Sequence, residues 1–201
     1  MANIVKWAEK CSPWEGGYQN DPSDPGNYTS TGILVGTNRG VSAGAYEKHF
    51  SKIPTAEDMK ALTDEQWSVV TRAYWDAWRA DEILNQSVAD QLVEWYWGSG
   101  VWGIKIPQRL VGVDDDGSVG THTLAAVNAE NPETLHAKIV AARLTYIDDI
   151  ISTHPDWEKY RIGWTNRIKS FVYEPAANDV AVETDERQRE ADSDFTTMSN
   201  G

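Results

Sequence analysis

Glu15 stands immediately before two glycines, and Asp24 follows nine residues later in a stretch crowded with Asn, Asp, Pro, Ser and Thr. Two carboxylic acids separated by a turn-rich loop suit the hydrolysis of a glycosidic bond. One acid must be held protonated near neutral pH to donate to the leaving oxygen. The second works from the other face of the sugar, as a nucleophile or through a positioned water. Ile4, Ala8, Cys11 and Glu15 recur at helical spacing, so Glu15 ends an apolar stripe where few waters stabilise its charge. Gly16 and Gly17 clear side chains from a place where a bulky polymer must approach the backbone. Thr29 and Ser30 can help hold a water. Tyr18 offers a sugar an apolar face with a polar tip, and Asn20 is a polar candidate beside it. The same letters also read as plain turn chemistry, with Asp21, Asp24, Asn27 and Thr29 bonding their own backbone. Spacing alone leaves both readings open.

The elements that would position these residues are mostly helical. Pro13 disfavours helix at Ser12, so the turn before Glu15 is expected to be separate and short. Residues 16–40 hold Gly, Pro and small polar residues in numbers that predict turns and a small, irregular β-hairpin. Thr63-Asp64-Glu65-Gln66 has the form of a capping box, and Trp67, Val70, Tyr74 and Trp78 make an apolar stripe behind it. Ser87 is expected to cap the helix VADQLVEWYW, Pro107 to open another, and Thr121 to cap HTLAAVNAE. Asn131-Pro132 breaks the pattern before a long helix over about 133–152, and a last short helix is expected over about 157–172. Trp97 and Trp102, next to glycines, are candidates to face a glycan groove, whereas Trp95 beside Leu92 and Val93 reads as core. Trp164 and Arg167 read as packing and helix-anchoring residues, and Asp114 to Asp116 as a turn rather than a calcium loop.

Composition excludes several classes. With 40% hydrophobic residues and 10 tryptophans the 201-residue chain can bury a substantial core. Its net charge of −13 argues against binding nucleic acid through general electrostatics. No apolar run is long enough for membrane insertion. A lone cysteine, read as buried and inert, and four scattered histidines provide no metal site, and no motif calls for a cofactor. The start MANIVKWAEKC lacks the pattern of a secretory signal. The expectation is therefore synthesis in a host cytoplasm.

The segment Glu15-Gly16-Gly17-Tyr18-Gln19-Asn20-Asp21-Pro22-Ser23-Asp24-Pro25-Gly26, followed by Thr29 and Gly32-Ile33, resembles the opening motif of the glycoside hydrolase 108 lysozymes. Gln108 to Val113, Asp116-Gly117 and Gly120 to Thr123 resemble the predicted peptidoglycan-binding region that follows in that family. Gly163-Trp164-Thr165-Asn166-Arg167 resembles its closing signature. Two positions depart: Asn27 stands where the family has glycine, and Gly98 where it has asparagine. The resemblance implies a mainly α, α+β lysozyme-like fold, and an N-acetylmuramidase acting on bacterial peptidoglycan. In it Glu15 is the general acid, Asp24 positions or activates water, and Thr29 assists. The expected divisions are a catalytic region at 1–86, a C-terminal helical peptidoglycan-binding-like region at 87–173, and an acidic polar tail at 174–201. In that tail eight acids face two arginines. The resemblance implies a phage endolysin that reaches the wall after holin-type release, or a virion tail lysozyme whose acidic tail binds a tail or baseplate protein. The rival reading is a non-catalytic wall-binding or structural tail component that keeps the fold.

Overall fold

A computed structural model describes residues 1–175, and the expected tail partner therefore concerns a segment almost wholly outside the described residues. The fold is mainly helical. Its helices are α1 (Ile4–Cys11), α2 (Ala43–Phe50), α3 (Ala56–Lys60), α4 (Asp64–Ala77), α5 (Gln86–Ser99), α6 (Trp102–Leu110), α7 (Thr121–Ala129), α8 (Pro132–Thr153) and α9 (Arg161–Ser170). Short 3-10 turns cover Ser12–Trp14, Pro25–Asn27, Ala80–Glu82 and Pro155–Tyr160.

Helix α5 is the axis of the molecule. Every residue from Ser87 to Trp95 is buried, the polar Ser87, Asp90, Gln91 and Glu94 included, so the helix is surrounded on all sides. It packs against α6 and α8. Trp7, Trp75, Trp78, Leu92, Trp95, Ile139 and Phe171 belong to the larger of the hydrophobic clusters. A smaller cluster of Val35, Val41, Tyr46, Met59, Trp67 and Val70 lies under the N-terminal loop. Ala8, Tyr74 and Trp97 pack against both clusters and join them into one body. The capping box at Thr63 forms as expected, and a second forms at Thr55 with Asp58.

Four expectations are corrected. Among the described residues the N-terminal loop forms no β-hairpin, only isolated antiparallel bridges at Gln19–Thr37, Tyr28–Leu34 and Asn38–Val41. The reason is local competition. Asp21 and Asp24 accept from the backbone N–H groups of Ser23 and Gly26, and Pro22 and Pro25 have no N–H to give a ladder. Asn85, not Ser87, caps α5, and Ser87 instead exchanges hydrogen bonds with the backbone of Glu174. Pro107 lies within α6 rather than opening it, because that helix starts a full turn earlier at Trp102. The C-terminal segment divides into the 3-10 turn Pro155–Tyr160 and α9, where one helix was expected.

Candidate active site

Glu15 follows the 3-10 turn Ser12–Trp14 in extended backbone, its N–H donating to Ser12 O at 3.1 Å. Pro13 sets that turn, and α1 ends at Cys11 as the proline requires. The turn swings the Glu15 side chain inward until only 7% of it is exposed. Oε1 accepts from Trp97 Nε1 at 2.8 Å and from Arg167 Nη2 at 2.5 Å, with Cys11 Sγ at 3.5 Å. Oε2 lies against Gly40, where a Cβ would stand 2.2 Å away. Gly40 has φ +74° and follows Arg39, itself at φ 49°. Trp67 Nε1 donates to Arg39 O at 3.1 Å, and the Arg39 guanidinium lies over the Trp67 ring at 5.0 Å. The loop is thus pinned against α4, so that a residue without a side chain meets the acid.

Asp24 is fixed by its own turn. Oδ1 accepts from Gly26 N at 2.9 Å and Oδ2 from Gln19 Nε2 at 2.9 Å. Behind it Asn27 is fully buried, with Nδ2 donating to Gln19 Oε1 at 2.8 Å and to Asp21 O at 2.9 Å. Asn27, which stands where the family has glycine, is not in left-handed backbone. It is the centre of the side-chain network that orients Gln19 and, through it, Asp24.

Two cavities share this loop. The first, of about 670 Å³, is lined by Asp24, Gly40, Glu94, Trp97, Gly98, Arg143, Trp164 and Arg167 among others. The second, of about 970 Å³, runs from Gln19 and Asp24 to Trp157, Lys159, Tyr160 and Trp164. Asp24, Trp157 and Trp164 line both, so together they form one long groove with an aromatic wall. Trp157 and Tyr160 each remain 40% exposed.

The structure places the other expected site residues differently. Trp97 lines the groove and touches Glu15. Thr29 is buried in the loop, its hydroxyl shared with Thr31 and taking the N–H of Ile33, and it lines neither cavity. Tyr18 donates to Val35 O at 3.1 Å and packs on the smaller core. Asn20 and Ser30 are exposed outside both cavities, and Ser30 N–H donates to Glu47. Trp102 is exposed on α6 beneath Arg109, away from the groove.

Sequence reasoning passed over Glu94 and Arg143, and assigned Arg167 and Trp164 to packing. Arg167 Nε bonds Glu94 Oε1 while Nη2 holds Glu15, so one guanidinium bridges two acids. Glu94 is 1% exposed, and burial pushes its carboxyl up against the opposing pull of Arg167. Burial works against the charge on Arg167, yet Glu94 and Glu15 outweigh it and its pKa is raised. Arg143, fully enclosed and bonded to Gln91 Oε1 at 2.5 Å, is pulled down by burial to about 10 and stays cationic at neutral pH. Burial, with Glu94 and Glu15 nearby, raises the Cys11 thiol far above its ordinary value. The available signal was a single acid or arginine inside an apolar run, as in QLVEWYW and VAARLTYI.

Asp24 and Glu94 line this long aromatic groove and Glu15 lies directly behind Gly40 and Trp97 of its wall, a set of acids suited to cleaving a carbohydrate. Residues 8–100 match the Glycosyl hydrolase 108 family and residues 102–169 match the Predicted Peptidoglycan domain. The chain carries a glycosyl hydrolase 108 domain followed by a predicted peptidoglycan domain, and is a glycosyl hydrolase. Among solved structures it is similar to SagA of Brucella abortus, with 26% identity and a TM-score of 0.66. That match covers 84% of this chain and 97% of that one. Among curated proteins the sequence finds no match.

Proposed function

We propose that the protein is a lysozyme that cleaves the β-1,4 bond between N-acetylmuramic acid and N-acetylglucosamine in peptidoglycan. The observation that carries this reading is the Glu15 carboxyl, almost enclosed and held directly behind Gly40, Trp97 and Arg167, which line the groove together with Asp24. Glu15 donates its proton to the glycosidic oxygen, and Asp24, held by Gln19 and Gly26, orients a water on the opposite side of the sugar. Trp97 Nε1 and Arg167 hold the acid in one rotamer, so little reorganisation is needed in the transition state. Trp157, Tyr160 and Trp164 give successive sugars apolar faces to stack on.

The test is Glu15→Gln with purified peptidoglycan, following turbidity and the release of reducing ends. The variant should lose at least ~100-fold in rate, the scale expected for a positioned general acid. Wild-type rates in it would end the proposal, as would binding of peptidoglycan by the unmodified protein without any new reducing ends. An anhydro sugar among the products would reassign the reaction to a lytic transglycosylase.

A further inference from the structure

Three glycines stand where α5 passes into α6, and two of them have a reason inside the protein. Gly100 adopts φ +56°, the left-handed region that favours glycine. Gly103 packs directly on α5, where a Cβ would stand 2.3 Å from Tyr96 N and 2.5 Å from the Trp95 carbonyl carbon. Gly98 has neither reason. It lies within α5 without a positive φ, and a Cβ built on it meets nothing within 4 Å outside its own turn of helix among the described residues. Glycine is a poorer helix former than alanine, so it weakens the end of α5 with no gain in packing. Gly98 lines the cavity of about 670 Å³ together with Trp97 and Ser99, and a side chain there would take up open space at the groove. Gly44 on α2 and Gly163 on α9 also have open Cβ positions, but they line neither cavity of the groove. The space at Gly98 is left to what enters the groove.

We propose that Gly98 determines specificity by admitting the stem peptide that N-acetylmuramic acid carries on its lactyl group. The inference rests on the reading of the site as a muramidase. In that reading the bond cut is the one made by the muramic acid, so that sugar lies at Glu15. Trp97, the neighbour of Gly98, donates to Glu15 Oε1 at 2.8 Å, and adjacent Cα atoms are about 3.8 Å apart. The gap therefore opens beside the cleavage point, where the sugar that bears the peptide must lie. N-acetylglucosamine carries no substituent of that bulk, and a groove for a plain glycan has no use for the gap. Tyr146, Ile147 and Ile150 of α8 line the same cavity and give the methyl group of the lactyl arm an apolar surface.

The test compares kcat/KM for two forms of one purified peptidoglycan, intact and stripped of its stem peptides by an amidase. Gly98→Gln fills the gap with an unbranched side chain that suits a helix. On intact peptidoglycan it should lose ~10–100-fold, the scale of a misfit group in a shaped pocket, and on the stripped glycan it should stay within about twofold. Gly44→Gln on α2 is the control and should leave both rates where they were. An equal loss on both substrates overturns the proposal, because the gap then serves the glycan chain itself. No loss on either overturns it as well. Gly98→Ala should raise the thermal midpoint by ~2–4 °C, from the helix preference of alanine. A lowered midpoint would mean that the fold itself needs the glycine, which removes the basis of the proposal. Should the glutamine variant fail to fold, Gly98→Ser is assayed on the same pair of substrates, and an unchanged ratio of rates overturns the inference. Glu15→Gln keeps the two ideas apart. If it is inactive while the Gly98→Gln ratio is unmoved, only the peptide inference fails; if it releases reducing ends at the wild-type rate, the lysozyme reading fails first.

Discussion

Replacing Gly40 by alanine tests whether the position of Glu15 is what makes the groove catalytic. An ideal Cβ at Gly40 stands 2.2 Å from Glu15 Oε2, 2.8 Å from its Cδ and 2.7 Å from Trp97 Cζ2. Carbon contacts settle at about 3.5 Å, so the carboxyl must retreat by more than ~1 Å. Its exit is blocked, because Trp97 and Arg167 already hold Oε1 and the new methyl also crowds Trp97. An alanine at φ +74° adds backbone strain of roughly 1–2 kcal/mol. A misplacement near 1 Å at a reacting group costs on the order of 100-fold. The expected result is therefore a ~100-fold loss in reducing-end release with a stability loss of only ~1–3 kcal/mol in denaturant. Gly44→Ala on α2 is the control, since nothing lies within 4 Å of its Cβ and its rate should not change. A folded Gly40→Ala protein hydrolysing peptidoglycan at the wild-type rate would refute the assignment of Glu15 to the chemistry.

Other outcomes follow from the same geometry. Trp157→Ala removes a ring that is 40% exposed in the groove, and should raise KM for glycan fragments about fivefold, equivalent to ~1 kcal/mol of stacking, with kcat nearly unchanged. A change in kcat alone would argue against a binding role. Cys11, fully buried and with its thiol pushed up, should not react with a thiol reagent at pH 8 until urea unfolds the chain. Labelling of the native protein at the unfolded rate would contradict that burial. His136 is held against Phe171 O at 2.9 Å, and burial lowers its pKa from 6.5. The unfolded chain therefore takes up a proton first as the solution is acidified. Stability from this residue is present above pH about 6.5 and is lost as pH falls through the folded value. Urea midpoints measured between pH 7.5 and 5 should fall less steeply in His136→Gln, and equal slopes would remove His136 from the account.

Much of the scaffold was legible because local rules and tertiary packing agree there. The capping box at Thr63, the proline-set turn before Glu15 and the Asn131-Pro132 start of α8 all follow from backbone chemistry confined to a few residues. The hairpin was misread because turn formers that bond their own backbone resemble strand punctuation in sequence, yet they withdraw the donors a ladder needs. The site was half legible. Glu15 and Asp24 announce themselves by residue type, whereas Arg167 is 152 residues from Glu15 and no local pattern connects them. Thr29 and Tyr18 have the right chemistry, but the loop turns their hydroxyls onto its own backbone and side chains.

The bridge from Arg167 to Glu15 also bears on how this chain can be divided. Residues matching the glycosyl hydrolase family end at 100, but the guanidinium that grips the acid comes from the region matching the other domain. Excising residues 1–100 would leave Glu15 facing open solvent where Arg167 had been, and a chimera with a foreign second half would inherit the acid without its clamp. A working graft must carry α9 along with the loop that contains Glu15. The two halves are separable as text but act as one tool.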